Sequence, residues 1–230
     1  EFRRVLFRSD LNNPYELSAK DKKKIKSTAK SKQAEAESAA LSNMWRNKAV
    51  ADTYMPGSVF KMCVASAALE ENLVNEKTSF TCTGSISVEG ETIHCSNISG
   101  HGTQNFVEVI SNSCNPAFIQ IGQMLGAGKF RQYYQGFGFS DKTGIDLPGE
   151  AEDSFWKEGK MGGVDLAVAS FGQNFTITPI QMITACAAVS NGGYVVQPHV
   201  VSKITDSKGN VIKTVDKKIK RQVISDDTSN

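Results

Sequence analysis

The clearest hydrophobic pattern in the chain runs from Ser58 to Glu71, directly after the turn signal Tyr54-Met55-Pro56-Gly57. Its apolar positions recur with the spacing of one helical face, which predicts an α-helix. Upstream, Ser18 to Trp45 is rich in lysine, alanine and glutamate but has few apolar anchors. Because these residues favour helix without a face to bury, we expect a solvated or partly ordered helix there rather than a lipid-binding basic patch.

Beyond this region the pattern predicts short strands and helices without regular alternation. Residues alternate around Val88-Glu89-Gly90-Glu91, which predicts a hairpin within 80–95, and Tyr194–Ile204 with Val211–Val215 predicts another antiparallel pair. Helix starts are indicated at Phe106, at Asn115-Pro116, which we expect to open a helix ending among glycines 126 and 128, and at the capping box Thr178-Pro179-Ile180-Gln181. This mixture favours the α+β class over a doubly wound sheet.

Composition narrows the function classes only slightly. The 230 residues suffice for one domain with appendages, and their composition is that of a soluble globular protein. The net charge of +2 is too small to indicate nucleic-acid binding, although residues 1–50 carry 12 basic and 6 acidic side chains. No apolar run reaches the roughly eighteen residues that predict a membrane span.

Changes in residue composition along the sequence divide the chain into three segments. Residues 1–9 lack an initiator methionine and join abruptly to Asp10-Leu11-Asn12-Asn13-Pro14, so we expect them to be foreign to the fold. Residues 10–48, with the lysine- and alanine-rich stretch, are expected to form the N-terminal part of a domain. Residues 49–230 are expected to form its main part.

Ser58 and Lys61 form the first candidate chemical pair. Their spacing of three at a helix start brings both side chains to one helical face. A serine hydroxyl becomes a good nucleophile only when a neighbouring base takes its proton. Lysine is such a base only if burial or a nearby cation lowers its pKa well below about 10.4. By itself this spacing is common, and an N-cap serine beside a solvated lysine is the simpler interpretation.

A second pair, Ser113 and Asn115, favours the catalytic interpretation of Ser58 and Lys61 over the N-cap interpretation. It lies in Ser111-Asn112-Ser113-Cys114-Asn115-Pro116, between two predicted helices. A hydroxyl there can relay a proton to a leaving amine, and an amide can hold a substrate carbonyl. Asn115 before a proline is also a plausible helix N-cap. However, Ser-x-x-Lys followed by Ser-x-Asn is the pairing of penicillin-recognising serine enzymes.

The order of several segments extends this resemblance along the chain from about Asp10 to its end. The sequence resembles the transpeptidase domain of class B penicillin-binding proteins, with the sporulation and division types most similar. The segments that carry the resemblance are Asp52–Lys61, Gly100-His101-Gly102, Thr143–Glu150, and Ser170-Phe171-Gly172-Gln173 leading to Thr178-Pro179-Ile180-Gln181. It implies a penicillin-binding, serine β-lactamase-like α+β fold, an antiparallel sheet flanked by helices.

The resemblance implies that Ser58 is acylated by the D-alanyl-D-alanine end of a peptidoglycan stem peptide, or by β-lactams. Lys61 would be the base, and Ser113 and Asn115 would complete the catalytic and substrate-binding groups. The acyl group would pass to an amine of a neighbouring stem without metal or organic cofactor. The implied location is the extracytoplasmic face of the bacterial membrane, with a glycosyltransferase of the division or elongation machinery as a partner and no nucleic acid.

Two other functions remain open at this point. A non-catalytic module of the same fold would bind cell-wall peptide or a divisome partner. A serine β-lactamase is the weaker alternative, because Glu150 lies near where class A enzymes place their deacylating glutamate but the accompanying asparagine is absent. The Ser58/Lys61 and Ser113/Asn115 pairs together favour the transpeptidase.

The third family motif, Lys-Thr-Gly on a strand, has a decoy here. Lys142-Thr143-Gly144 follows Asn115 closely and lies in a turn-rich loop, where the family carries its Thr-Gly-Ile-Asp-Leu-Pro-Gly-Glu landmark. We therefore expect it not to be the motif strand, and we expect the chain to be truncated at both ends, with its C-terminal strands missing. Without that strand and the cation that anchors the substrate carboxylate, we expect poor stability and little turnover of substrate.

Cysteines and histidines complete the candidates. Cys82 and Cys95 bracket the predicted hairpin, and Cys114 lies inside the Ser-x-Asn segment. In an extracytoplasmic domain, a disulfide could join Cys82 to Cys95 or Cys95 to Cys114. The second pairing would make activity redox-sensitive. Free thiols are slightly favoured over either disulfide. The three histidines, 94, 101 and 199, have no metal-ligand spacing, so the sequence predicts no metal site.

Overall fold

The computed structural model describes residues 10, 12–151 and 155–230, so the segment 1–9 predicted to be foreign lies outside the described residues. The chain forms two compact units, and the boundary between them follows Asp52, four residues beyond the boundary expected at residue 48. Among the described residues, no helix is both long and apolar enough to cross a membrane.

The N-terminal unit is helical. Its elements are α1 (Ala19–Lys26), a 3-10 turn (Lys30–Lys32), α2 (Gln33–Trp45) and α3 (Lys48–Ala51). Ser18 caps α1 by accepting a hydrogen bond from the Asp21 backbone N–H, and no residue of α1 or α2 is buried. The expectation of a solvated helix is therefore confirmed, except that residues 27–32 break it into two.

The second unit, Thr53–Asn230, mixes helices and strands. Its helices are α4 (Lys61–Glu70), α5 (Phe106–Ser111), α6 (Asn115–Gly136), α7 (Gly163–Ala169), α8 (Pro179–Val189) and α9 (Asp226–Ser229). Its strands are β1 (Ser79–Cys82), β2 (Ser85–Val88), β3 (Glu91–His94), β4 (Gly102–Asn105), β5 (Tyr194–Val196), β6 (Lys203–Thr205), β7 (Val211–Thr214) and β8 (Ile219–Gln222). This confirms the α+β class.

The described strands pair as antiparallel two-stranded ribbons: β1 with β4, β2 with β3, β5 with β8, and β6 with β7. The predicted hairpin is confirmed as β2–β3, and Glu89 and Gly90 at its tip both have positive φ, as a tight two-residue hairpin turn requires. The pairing predicted for Tyr194–Ile204 is only half right. Its second half, β6, pairs with β7 as expected, but β5 pairs with β8, because residues 197–202 separate β5 from β6.

The core that supports the site lies between α4 and α6, which pack directly against each other. Phe60 anchors it, with its ring centroid 4.8 Å from that of Phe175 and 5.3 Å from that of Phe139. The helix that opens at Asn115 is interrupted at Gly126, whose φ of 71° and ψ of 159° are non-helical and accommodated easily only by glycine, so the end predicted among glycines 126 and 128 is confirmed. A second helical segment continues from this kink to Gly136 within α6.

Candidate active site

Ser58 lies on a 3-10 turn, Gly57–Phe60, that leads into α4, rather than on the α-helix that the sequence predicts to begin there. Gly57 has φ 58°, and its N–H donates to the carbonyl of Gly172 at 2.9 Å. At the other end of the turn, Phe60 is 2 % exposed and holds it to the core. The turn is thus fixed at both ends, and Ser58 is presented to solvent between them.

Lys61 points inward from the first residue of α4 and is 4 % exposed. Its Nζ atom donates to the Ser113 carbonyl at 2.7 Å, to Ser113 Oγ at 3.0 Å and to Asn115 Oδ1 at 2.7 Å. All three acceptors lie on the segment that the sequence singles out by its Ser-x-Asn spacing. The fold therefore brings three of the four residues expected to be catalytic into direct contact around one amine, with Ser58 lining the same cavity.

The backbone at Ser113 is what allows this contact. Ser113 has φ 50°, a left-handed conformation that costs a non-glycine residue about 1–2 kcal/mol. In this conformation its carbonyl and hydroxyl oxygens both face Lys61. Asn115 is the first residue of α6, after the cap residue Cys114, so its side chain is not used as an N-cap and instead joins Lys61 to the carbonyl of His94.

Burial lowers the pKa of Lys61 from 10.5 to about 8, against smaller opposing effects of the thiols of Cys114 and Cys95. The ring of Phe118 contributes to this enclosure, with its centroid 5.2 Å from Nζ. A lysine whose pKa lies near 8 has an appreciable neutral fraction at physiological pH. It can therefore accept a proton from a neighbouring hydroxyl, which an ordinary surface lysine cannot do efficiently.

The cavity that Ser58 opens into has a volume of about 530 Å³. Its walls are mostly apolar, and Ser58, Lys61 and Ser113 supply the reactive polar groups; Val59, Met62, Ala65, Ser66, Leu69, Ile110, Phe118, Val189 and Thr228 supply the rest of the lining. A cleft of this kind holds an uncharged portion of a ligand by apolar contact and aligns it by a few polar groups.

The decoy Lys142-Thr143-Gly144 lies in a loop, so the expectation that it is not a motif strand agrees with the fold. Glu150 holds this loop: its carboxylate accepts hydrogen bonds from the Thr143 N–H and hydroxyl and from the Gly144 N–H. Thr143 is consequently buried. Glu150 is not among the described residues that line the Ser58 cavity, and its carboxylate is engaged by its own loop, so this arrangement gives no support to a deacylating role.

All five cysteines are free thiols, including Cys82, Cys95 and Cys114, so neither disulfide considered from the sequence is formed. These three cysteines nonetheless meet: their sulfur atoms and a ring nitrogen of His101 all lie within 4.8 Å of one another. The sequence predicts no metal site because no short ligand spacing is present. The predicted hairpin indicates only that Cys82 and Cys95 lie close together, which does not by itself identify them as metal ligands.

The family profile of the penicillin-binding protein transpeptidase domain matches residues 16–230. The chain is 42% identical over 188 residues to stage V sporulation protein D of Bacillus subtilis, covering 80% of this chain and 29% of that protein. It is 34% identical over 167 residues to the peptidoglycan D,D-transpeptidase MrdA of Acinetobacter baumannii, covering 67% of this chain and 25% of that protein.

Solved structures show the same fold. Penicillin-binding protein 3 of Mycobacterium tuberculosis, in complex with aztreonam, superposes with a TM-score of 0.71 at 27% identity, covering 80% of this chain and 41% of that one. A D,D-transpeptidase domain from Eggerthella lenta superposes with a TM-score of 0.76 at 23% identity, covering 86% and 52%. The chain spans less than a third of the length of the two curated relatives compared above.

Proposed function

The chain belongs to the family of penicillin-binding protein transpeptidase domains, of the class B type, and from this premise we propose that it carries the acylation centre of a peptidoglycan D,D-transpeptidase. The observation that carries the proposal is the position of Lys61. It is buried, it contacts both Ser113 and Asn115, and it lies three residues after the exposed Ser58 in one cavity.

In the first step, Ser58 Oγ attacks the carbonyl carbon of the penultimate D-alanine of a stem peptide. The neutral amine of Lys61 takes the hydroxyl proton as the C–O bond forms. The C–N bond to the terminal D-alanine then breaks, and its amine leaves with a proton relayed from Lys61 through the Ser113 hydroxyl. Lys61 Nζ and Ser113 Oγ are 3.0 Å apart, which is a hydrogen-bonding distance suited to that relay.

In the second step, an amine of a neighbouring stem attacks the ester carbonyl of the acyl-enzyme. That amine loses its proton to Lys61, a C–N bond forms, the bond to Ser58 Oγ breaks, and Ser58 is reprotonated. Asn115 has an amide suited to holding the peptide in place, because its Oδ1 is fixed by Lys61 and its Nδ2 by the carbonyl of His94. No metal or organic cofactor takes part in these steps.

A β-lactam would undergo the first of these steps, the acylation of Ser58, but not the second. Its carbonyl would be attacked by Ser58, but the amine released by ring opening stays attached to the acyl group and blocks the acceptor. We propose stem peptides as substrates and β-lactams as inhibitors on this chemistry, and on the names of the relatives, which are peptidoglycan D,D-transpeptidases and penicillin-binding proteins.

The proposed site of action is the extracytoplasmic face of the bacterial membrane, where stem peptides are cross-linked. A glycosyltransferase of the division or elongation machinery is the proposed partner, because cross-linking needs newly polymerised strands. The similarity to stage V sporulation protein D favours a sporulation- or division-type role.

Covalent labelling tests the proposal. The chain, Ser58→Ala and Ser66→Ala are incubated with excess fluorescent penicillin, and the labelled peptide is identified by mass spectrometry. Ser66 lines the same cavity and donates to the Met62 carbonyl, so its variant is a matched control. We expect slow labelling of the Ser58 peptide in the chain and the control, and none in Ser58→Ala.

The other outcomes separate the remaining functions. A folded chain that stays unlabelled at high penicillin refutes the acylation role and favours a non-catalytic module that binds cell-wall peptide. Label that is rapidly lost from Ser58 with release of hydrolysed drug favours a β-lactamase. Equal labelling of Ser58→Ala assigns the reaction to another residue and refutes the proposed nucleophile.

A further inference from the structure

Four side chains outside the proposed acylation steps form a compact cluster. Cys82 ends β1, Cys95 follows β3, His101 precedes β4 and Cys114 precedes α6. Their ligand atoms lie within 4.8 Å of one another, and Cys95 Sγ is 3.6 Å from His101 Nδ1. The three cysteines are at most 4 % exposed, so the cluster is enclosed by the fold.

We propose that this cluster is a structural Zn²⁺ site with three thiolate ligands and one imidazole ligand. Three cysteines and one histidine are among the ligand sets that Zn²⁺ prefers when all four positions come from protein. Thiolate sulfur favours Zn²⁺ over hard cations such as Mg²⁺ and Ca²⁺, which take oxygen ligands. With no position left for water, the ion would stabilise structure and would not act on substrate.

The dimensions agree with tetrahedral coordination. Metal–ligand distances of about 2.3 Å to sulfur and about 2.0 Å to nitrogen place sulfur atoms roughly 3.8 Å from each other and roughly 3.5 Å from the nitrogen. The separation of 3.6 Å between Cys95 Sγ and His101 Nδ1 already has this value. The widest separation, below 4.8 Å, must close by no more than about 1 Å, which small side-chain rotations provide.

Close glycine packing fixes the loop that carries His101. A Cβ atom added to Gly100 would lie 2.4 Å from the Cys82 carbonyl oxygen, and one added to Gly84 would lie 2.0 Å from the Ile98 carbonyl oxygen. Only glycines allow the two backbone segments to approach this closely. The approach holds His101 beside Cys82 without any contribution from an ion, so the ligands are preorganised.

Gln104 supplies a second, independent observation. It is 3 % exposed, its side chain lies beside Cys114, and its Nε2 atom has no hydrogen-bond acceptor among the described residues. A buried amide N–H without a partner is costly. Donation to a metal-bound sulfur is the usual arrangement around such ligands, and it would satisfy this group.

A bound ion would also stabilise the acylation centre, because two of its ligands are adjacent in sequence to His94 and Asn115. Cys95 directly follows His94, whose carbonyl accepts from Asn115, and Cys114 directly precedes Asn115. An ion bound to both cysteines would fix the two ends of that hydrogen bond. Binding releases the protons of the three thiols, so occupancy requires reduced cysteines and falls at low pH.

Cobalt substitution tests the proposal independently of any acylation. The reduced, metal-free chain is titrated with Co²⁺, followed by Zn²⁺, and compared with Cys82→Ser and His101→Ala. Cys186→Ser, which alters a partly buried cysteine outside the cluster, is the matched control. We expect one equivalent of Co²⁺ with thiolate charge-transfer and tetrahedral d–d bands in the chain and the control, displaced by Zn²⁺. Both cluster variants lose or shift these bands.

Thermal unfolding provides a second measurement, because an ion that binds only the folded chain raises its Tm. Zn²⁺ should raise the Tm of the chain and of Cys186→Ser, but less in His101→Ala, whose change lies in a half-exposed loop residue and leaves the buried cysteines intact. A folded, reduced chain without the cobalt bands overturns the proposal. So does a disulfide between two of the three cysteines that forms in air while Zn²⁺ is present.

Discussion

The protonation state of Lys61 controls the rate of Ser58 acylation in the proposed mechanism, so pH is the most direct perturbation. Only the neutral amine can take the serine proton. With a pKa of about 8, roughly a tenth of the Lys61 side chains is neutral at pH 7 and roughly nine tenths at pH 9. The acylation rate should therefore rise about tenfold over these two pH units and level off above them.

The same shift changes stability in a defined direction. The pKa of Lys61 is depressed in the folded chain, so between pH 8 and 10.5 the unfolded chain binds more protons than the folded one. The free energy of unfolding then rises with pH through this window, by up to roughly 3 kcal/mol for a shift of this size. Below pH 8 both states are protonated and the full cost of burying the charge is present.

Both quantities can be measured on the same samples. Acylation by a penicillin is followed by intact mass between pH 6 and 9.5, and urea unfolding is followed by circular dichroism between pH 7 and 10.5. Lys61→Met should abolish the acylation and remove the rise in stability, whereas Lys77→Met, at an exposed lysine, should change neither. An acylation rate that stays flat with pH, or that rises only near pH 10.5, would refute the role given to the buried amine.

Three further substitutions test individual contacts. Asn115→Ala, which removes one acceptor from Lys61, should slow acylation about 10²-fold while leaving a cooperative unfolding transition, measured by labelling rate and thermal melting. Gly172→Ala should destabilise the chain by about 2–4 kcal/mol, because its Cβ would lie 2.0 Å from the Gly57 carbonyl oxygen. Gly149→Ala has similar backbone strain, but its Cβ would meet no atom of the described residues within 4 Å, so it should cost about 1 kcal/mol. Glu150→Gln should lower stability by about 1–3 kcal/mol and leave the lifetime of a penicilloyl adduct unchanged, whereas a longer lifetime would revive the β-lactamase alternative.

Local sequence signals predicted the local structure well. The capping box at Thr178 and Gln181 is formed in the structure with both of its hydrogen bonds, because everything it needs lies within four residues. The hairpin at Glu89 and Gly90 was predictable for the same reason. The motif spacings also located Ser113 and Asn115, although the sequence could not show that both would accept from one buried lysine.

What the sequence could not show depends on contacts between distant residues. The partner of β5 was predicted wrongly, since strand order depends on packing and not on the order of the strands along the chain. The gathering of Cys82, Cys95, His101 and Cys114 was missed because zinc sites are usually recognised by ligands two to four residues apart. Here the ligands are brought together by a hairpin and by a close glycine contact, and neither feature identifies metal ligands in a sequence.

The left-handed backbone at Ser113 has a consequence for anyone who engineers this protein. A screen that selects only for heat resistance will favour glycine or asparagine at this position, because both adopt φ 50° more readily than serine. Either replacement removes the hydroxyl that Lys61 contacts. Directed evolution for robustness would therefore discard the proton relay first, unless penicillin labelling is scored in every round.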